Sequence, residues 1–213
     1  MIASVQKAHF PIHGLGYGKR IGIWFQGCSI RCAGCINRDT WPAQAGFGTT
    51  VESLYRSLGA WLDLADGLTI SGGEPFDQAE AVSELVDMVR ERLVGDILVY
   101  SGYSYDRLLL DYPELVEKLD VLITEPYNPQ AGQSLFLRGS DNQRVFLLSP
   151  LARQRYPLDI DTRRWEGDRK MDIVVDGDNV WLAGIPKPGD MGRLRTELQE
   201  RGFSSRGSDQ FIS

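Results

Sequence analysis

The three cysteines of this chain, Cys28, Cys32 and Cys35, all lie in the stretch GCSIRCAGC of residues 27–35. The C-x3-C-x2-C spacing puts three thiols on one short loop, and three thiolates can hold three irons of a cubane iron–sulfur cluster. The fourth iron would then have no protein thiolate, and an open metal position is typical of a catalytic site rather than a purely structural one. The spacing therefore predicts one [4Fe-4S] cluster, ligated by these three cysteines.

Three other interpretations of the cysteines are weaker. A zinc knuckle with three cysteines needs a histidine as its fourth ligand, and both histidines, His9 and His13, lie upstream of the loop, beyond a predicted strand. A disulfide framework would distribute its cysteines in pairs, whereas this set is odd in number and clustered. Free buried cysteines do not account for three thiols within eight residues of a loop.

Short apolar runs alternate with helical patterns on either side of the cysteine loop. Each run is apolar on both faces, which is typical of buried strands in a parallel sheet. The predicted strands are Ile21–Phe25, Leu68–Ile70, Ile97–Tyr100 and Val121–Ile123. We therefore expect an α/β fold with right-handed crossovers.

Four residues come just after the predicted strands: Cys28, Gly73, Ser101 and Glu125. In parallel sheets the ligand lies at the carboxyl ends of the strands. We therefore expect four loops, the cysteine loop among them, to meet at one edge of the sheet. We call this edge, where the central strands end, the mouth.

Capping and breaking residues mark the helices between the strands. Thr49 with Glu52 predicts a capping box for the first helix. The acidic residues within 77–80 predict the start of the next helix, and a third begins near Tyr105 and is kinked or divided by Pro113.

The sequence changes character after residue 150, and we divide the chain into a core, 1–150, and a C-terminal extension, 151–213. Residues 151–170 are predicted as loop, 172–182 as a β-hairpin, and a final helix has Asp190 as its N-cap. The extension is too small to bury much core alone. Two roles stay open for it: recognition of a target, or protection of an exposed sheet edge.

Composition excludes several classes of protein. The chain has 213 residues, a 42% hydrophobic fraction and a net charge of −6, which argues against wholesale disorder and against a dedicated duplex-binding protein. A basic run at Arg163, Arg164, Arg169 and Lys170 is interleaved with acidic residues, so we interpret it as a solvated loop, with nucleic-acid contact as a minor alternative. We find no signal-peptide core and no membrane span, and expect a cytoplasmic protein.

A second motif, SGGEP of residues 71–75, follows the second predicted strand. Glycines such as Gly72 and Gly73 let backbone approach a ligand closely, and a carboxylate such as that of Glu74 can pair with an ammonium group. Alone, this segment would be an ordinary turn between strand and helix. One βα unit after the cysteine loop, it becomes a candidate ligand site.

Together the two motifs resemble the radical S-adenosylmethionine (SAM) superfamily. The resemblance implies a partial, open (β/α) barrel, here with a C-terminal hairpin-plus-helix extension, and two cofactors, one [4Fe-4S] cluster and SAM. It implies that SAM chelates the open iron, and that reduction of the cluster splits a carbon–sulfur bond of SAM to give a 5′-deoxyadenosyl radical. The cofactors would carry the chemistry, and the protein would position and shield them.

The resemblance also assigns site residues. The residue before the third cysteine is aromatic in much of the superfamily but is Gly34 here, so Ile36 is the first candidate for packing against adenine. Glu74 and the two glycines before it would orient the amino group of SAM. The residues assigned to SAM are Gly34, Cys35, Ile36, Gly72, Gly73, Glu74 and Ser101.

Longer stretches resemble the activases of anaerobic ribonucleotide reductase, a family of glycyl radical enzyme activases. They are residues 26–41, 71–75, 101–103 and the RGSDNQ segment of 138–143. The chain departs from that family at residues 124–126, where Thr-Glu-Pro stands in place of Asp-Gly. The implied activity is that of an oxidoreductase that installs a radical on a glycine of a partner enzyme.

The implied partners are a glycyl radical enzyme similar to anaerobic ribonucleotide reductase and a flavodoxin- or ferredoxin-like electron donor. An external donor is expected because no cysteine remains for a second cluster. Three further hypotheses stay open. One is the same radical chemistry on a small molecule or peptide side chain, the second is a non-catalytic iron–sulfur carrier or sensor, and the third is a zinc-binding interaction module.

Overall fold

The computed structural model describes residues 1–43 and 48–210. The strands are β1 (Ile2–Ile12), β2 (Arg20–Phe25), β3 (Gly48–Thr50), β4 (Gly67–Gly72), β5 (Asp96–Tyr100), β6 (Val121–Thr124), β7 (Arg144–Leu147), β8 (Met171–Asp176) and β9 (Asn179–Gly184). The helices are α1 (Val51–Leu58), α2 (Trp61–Leu64), α3 (Ala79–Arg90), α4 (Tyr105–Asp111), α5 (Pro113–Glu117), α6 (Pro150–Arg155) and α7 (Asp190–Glu200).

Seven strands form one mixed sheet in the order β3-β1-β2-β4-β5-β6-β7. The central strands β2, β4, β5 and β6 are parallel, as the sequence predicts, and each is followed by a loop at the same edge. The outer strands β1, β3 and β7 pair antiparallel and were not predicted. The fold is therefore α/β with a large, mostly parallel sheet, whereas the predicted barrel is not confirmed, since β3 and β7 end the sheet on opposite sides.

Helices α1, α3, α4 and α5 cover one face of the sheet, and their apolar residues share a core with the strands. Pro113 divides α4 from α5, as expected, because its ring fits the first turn of a helix. The cap of α1 is Thr50 rather than Thr49, since Thr50 accepts the Ser53 N–H. The start predicted at Asp77 is also wrong: residues 75–78 form a 3-10 turn, and α3 begins at Ala79.

The other face of the sheet is covered by residues beyond 134. Ala152, Tyr156 and Ile160 are buried in a cluster with residues of β5 and β6, and Ala183 and Ile185 pack with Trp24 of β2. The loop predicted over 151–170 is therefore wrong at its start, where α6 forms because Ser149 caps it.

The hairpin predicted over 172–182 is confirmed as β8 and β9. Its Trp181 ring lies 4.8 Å from the ring of Trp24. The final helix begins at Asp190 with Gly189, at φ +87°, as its N-cap, so Asp190 is its first residue rather than its cap.

The division of the chain at residue 150 stays a prediction. Residues 211–213 of the predicted extension lie outside the described residues. Within the described ranges, no helix combines the length and hydrophobicity needed to cross a membrane.

Candidate functional site

The cysteine loop begins where β2 ends. Gly27 has φ +102°, a conformation that favours glycine, and its N–H donates to the Thr40 carbonyl at 2.7 Å. The Cys28 N–H donates to the Trp41 carbonyl at 3.1 Å. These bonds tie the start of the cysteine loop to the segment that follows it.

The three cysteines are free thiols, and each is half-buried. Burial raises the pKa of each thiol, and backbone N–H groups partly oppose that rise. The Arg31 N–H donates to Cys28 Sγ at 3.5 Å, and the Asn37 N–H donates to Cys35 Sγ at 3.4 Å. Such donors favour the thiolate, which is the form that ligates iron.

The donor set fits an iron–sulfur cluster better than a single ion. Among residues 1–43 and 48–210, no three His, Cys, Asp or Glu side chains converge where one metal ion could bind. A structural zinc ion requires ligands around one point, with Zn–S distances of about 2.3 Å. A cubane takes one thiolate on each of three irons, so its ligands need not meet at a point. Both histidines are engaged elsewhere, His13 with Asp172 and His9 against Trp181.

Gly72 ends β4 and Gly73 follows it, and they lie against the end of β2 and the start of the cysteine loop, where there is no room for a side chain. A Cβ on Gly72 would lie 2.4 Å from the Phe25 carbonyl oxygen, and one on Gly73 only 2.0 Å from that of Gly27. The Gly73 N–H donates to the Phe25 carbonyl at 2.8 Å. The glycines thus let two loops approach each other, and their contact with SAM stays a prediction.

Glu74 is buried beside the cysteine loop, with 1% of its surface exposed. Its N–H donates to the Gly27 carbonyl at 2.9 Å. Its Oε1 accepts the Phe76 N–H at 3.0 Å and the Ser101 hydroxyl at 2.9 Å, and its Oε2 accepts the Gly102 N–H at 2.7 Å. A carboxylate has about four acceptor positions, so roughly one remains, on Oε2.

Burial raises the pKa of Glu74 to about 7, against the opposing effect of its three hydrogen bonds. A cation beside Oε2 would stabilise the charged form and remove much of that shift. The geometry gives Ser101 a role beside its SAM contact, which stays a prediction. Its hydroxyl donates to Glu74 and its Oγ accepts the Tyr103 N–H, so Ser101 orients the carboxylate.

A cluster at Asp77 joins three loops of the mouth, and sequence reasoning missed it. Asp77 accepts the Ser29 N–H at 2.7 Å, the Ser29 hydroxyl at 2.9 Å and the Tyr103 hydroxyl at 2.6 Å. The Arg107 guanidinium lies 3.7 Å from the centroid of the Tyr103 ring. The cluster connects the cysteine loop to the turns after β4 and β5, and the spacing of these residues gives no local signal of it.

The two residues assigned to adenosine lie near the loop after β6 and near residue 208, respectively. Gly34 is exposed, with φ +76°, and a Cβ on it would lie 3.3 Å from Tyr127 Cε1. Ile36 is half-buried, and its carbonyl accepts the Ser208 hydroxyl at 2.6 Å. Their contacts with SAM stay predictions.

Glu125 follows β6, where the activase family has Asp-Gly, and it adopts the backbone conformation of a glycine. Its φ is +79°, in the region that glycine adopts most readily. Its N–H donates to the Tyr103 carbonyl at 3.0 Å, and its carbonyl accepts the Gln143 amide at 3.0 Å. These two bonds hold a non-glycine residue in a glycine-like conformation.

Known proteins match the part of the chain that contains both motifs. The model of the 4Fe-4S single cluster domain matches residues 14–146. The anaerobic ribonucleoside-triphosphate reductase-activating protein of Enterobacteria phage T4 is 33% identical over 136 residues, covering 62% of this chain and 85% of the relative. The protein of that name from Haemophilus influenzae is 35% identical over 137 residues, covering 61% and 88%.

An activating enzyme with a different name also matches, but the match covers a smaller share of that enzyme than of the two reductase-activating proteins. The pyruvate formate-lyase-activating enzyme of Clostridium pasteurianum is 31% identical over 114 residues, which is 52% of this chain and 46% of that enzyme. The similarity to it therefore concerns about half of the relative.

Proposed function

This chain belongs to the radical SAM activases and contains their 4Fe-4S single cluster domain, and we propose that it installs a glycyl radical on a partner enzyme. Its cofactors are one [4Fe-4S] cluster and SAM. Held by the three cysteines and by Glu74, these cofactors would together supply a one-electron reductive cleavage of SAM and, from it, a radical able to remove a hydrogen atom from the substrate.

The contact between the two motifs is the observation that carries the proposal. The Glu74 N–H donates to the carbonyl of Gly27, the residue before Cys28, so the motif assigned to SAM touches the loop assigned to the cluster. The Oε2 atom lies at Gly102, which packs against Ile30 of the cysteine loop, so an ammonium on its free position would lie near that loop.

The chain's own residues have separate tasks in this proposal. Cys28, Cys32 and Cys35 supply three thiolates to the cluster. Ser101 and the Gly102 N–H fix the Glu74 carboxylate, and burial excludes water from it. An oriented, desolvated carboxylate discriminates strongly for an ammonium group.

The proposed target is a glycine Cα of an enzyme similar to anaerobic ribonucleotide reductase. Two of the relatives carry the name of activating proteins of that reductase and align over 85% and 88% of their length. All three cysteines of the chain are assigned to one cluster, so we propose that a flavodoxin- or ferredoxin-like protein supplies the electron.

The test is anaerobic reconstitution with iron, sulfide and labelled SAM, followed by reduction with and without a candidate glycyl radical enzyme. We expect labelled 5′-deoxyadenosine in both cases, and an electron paramagnetic resonance doublet on the partner when it is present. Cys32→Ala should abolish cleavage because it removes a ligand of the cluster. Glu74→Ala should leave the cluster intact and weaken SAM binding about ten- to a hundredfold, the worth of one charge-assisted hydrogen bond.

Two outcomes would contradict the proposal. SAM cleavage that survives Cys32→Ala would refute the ligand assignment. Cleavage without a radical on any glycyl radical enzyme, but with turnover of a small molecule or peptide, would favour the other radical hypothesis.

A further inference from the structure

One aromatic side chain, Tyr127, connects the loop after β6 to the cysteine loop. A Cβ on Gly34 would lie 3.3 Å from Tyr127 Cε1, and a Cβ on Gly139 would lie 3.2 Å from Tyr127 Cδ2. These two carbons lie on opposite edges of the ring, so the half-buried ring is wedged between the two glycines. Burial raises the pKa of the Cys32 thiol, and the nearby backbone of Tyr127 partly opposes that rise.

The RGSDNQ segment, residues 138–143, holds the Tyr127 loop by three hydrogen bonds. The Gln143 amide donates to the Glu125 carbonyl at 3.0 Å, and the Asn142 amide donates to the Pro126 carbonyl at 2.8 Å. On the other side of Tyr127, the Asn128 N–H donates to Ser140 Oγ at 3.0 Å. Tyr127 is thus fixed from both of its neighbouring peptides.

The RGSDNQ segment is itself rigidly held. Arg138 is 1% exposed and donates to the carbonyls of Gln143 at 2.7 Å and Ile160 at 2.9 Å. Gln143 Oε1 accepts the N–H groups of Gly139 at 2.9 Å and Ser140 at 3.2 Å. The paired groups of Arg138 and Gln143 resist displacement of the segment, because moving it would leave these buried donors and acceptors unsatisfied.

We propose that Tyr127 is a positioning residue for the part of the cysteine loop between Cys32 and Cys35, where its ring lies against Gly34, and that the RGSDNQ segment is the support that holds Tyr127 there. The start of that loop is tied down by the bonds of Gly27 and Cys28 to residues 40 and 41. The ring of Tyr127 contacts the cysteine loop further along, at the exposed Gly34. Gly34 and Gly139 are small because the ring occupies the space of their missing side chains. The role of Cys32 as a cluster ligand rests on the proposed function. The contact of the Tyr127 ring with Gly34 does not depend on it.

The first experiment measures thiol reactivity in cluster-free, full-length protein. In a Cys28→Ser, Cys35→Ser background, Cys32 is the single thiol, and its rate of reaction with Ellman's reagent reports how well it is covered. We expect Tyr127→Ala to raise that rate several-fold and Tyr127→Phe to leave it unchanged, since the ring remains. Gln143→Ala should raise it by a smaller factor, because it releases one bond to the Tyr127 loop.

The matched control is Tyr105→Ala, which removes a half-buried aromatic ring that stacks on Phe146 away from the cysteine loop. It should not change the labelling rate. Gly139→Ala is a complementary variant: position 139 has an ordinary φ, so the added methyl group acts only by crowding the ring. It should raise the labelling rate as Tyr127→Ala does.

The second readout is iron retention in protein with all three cysteines. After reconstitution and challenge with a chelator, Tyr127→Ala should lose iron faster than Tyr127→Phe, which should match the unsubstituted protein. A labelling rate unchanged in both Tyr127→Ala and Gln143→Ala would overturn the proposal, as would an equal rise in Tyr105→Ala. Labelling needs no cluster, SAM or partner, so a failure of iron binding in the unsubstituted protein would count against the proposed function alone.

Discussion

At the scale of single residues, Glu74 makes ligand binding depend on pH. Burial raises its pKa from 4.5 to about 7, so the folded protein favours the neutral acid. The stability that this group contributes is therefore full below about pH 4.5 and is lost as the pH rises through about 7. An ammonium ligand needs the opposite form, the carboxylate.

We therefore expect SAM affinity to rise about tenfold between pH 6 and pH 8, as the ionised fraction of a group with a pKa near 7 rises from about 9% to about 91%. Equilibrium dialysis of the reconstituted protein measures this. Glu74→Gln is the control, because titration of SAM itself affects both proteins equally. A ratio of the two affinities that stays constant across this range would show that Glu74 does not meet the ammonium.

Gly73 is a second residue whose substitution has a definite outcome. Its missing Cβ would lie 2.0 Å from the Gly27 carbonyl oxygen, a backbone atom that cannot rotate away. We expect Gly73→Ala to lower the free energy of unfolding by about 1–3 kcal/mol or more, the cost of overpacking. Gly192→Ala in α7, where nothing lies within 4 Å of the added carbon, should be neutral or slightly stabilising. Urea unfolding of the two variants makes the comparison, and equal midpoints would contradict the close approach.

At the scale of elements, the 3-10 turn of residues 75–78 fixes the cysteine loop through Asp77. Its carboxylate accepts three hydrogen bonds, two from Ser29 and one from Tyr103. We expect Asp77→Ala to keep the fold but to release iron faster during chelator challenge, because one side of the loop is freed. Glu80→Ala, an exposed acidic residue one turn further on, is the control and should retain iron like the unsubstituted protein. Equal retention in the two variants would mean that the turn does not hold the loop.

At the scale of the whole molecule, the segment after residue 150 completes the core. Ala152, Tyr156 and Ile160 cover the face formed by β5 and β6, and the Tyr156 hydroxyl donates to buried Asp96 at 2.9 Å. By contrast, α7 contains no buried residue. The sheet therefore needs the chain through the hairpin, but not the final helix, to bury its second face.

We expect a chain that ends near Pro150 to aggregate, since it exposes a large apolar face. A chain that ends at Pro188 should remain folded, with a thermal midpoint close to that of the full chain. Circular dichroism and gel filtration of the two truncations provide the test. A soluble, cooperatively folded chain of residues 1–150 would show that the second face does not need this cover.

Features with local signals could be predicted from the amino-acid sequence. Four central strands, the division of α4 from α5 at Pro113, the hairpin near residues 172–182 and the cysteine spacing are each encoded within a few neighbouring residues. Such signals persist because apolar periodicity, turn chemistry and ligand spacing act over short stretches of chain. The adjacency of the mouth residues also followed, since parallel strands bring their carboxyl ends to one edge.

Contacts between residues that are distant in the chain could not be predicted and emerged only in the folded protein. The outer strands β1, β3 and β7, the bond from Ser101 to Glu74, the Asp77 cluster and the wedge at Tyr127 all join segments far apart in the chain. The sequence neighbours of a side chain do not specify such partners, because the order of strands in the sheet determines which loops lie next to each other. For the same reason, the sequence did not predict that residues after 150 cover the second face of the sheet. Tyr156 is buried against β5 and β6, and the residues around Tyr156 in the sequence do not indicate that contact.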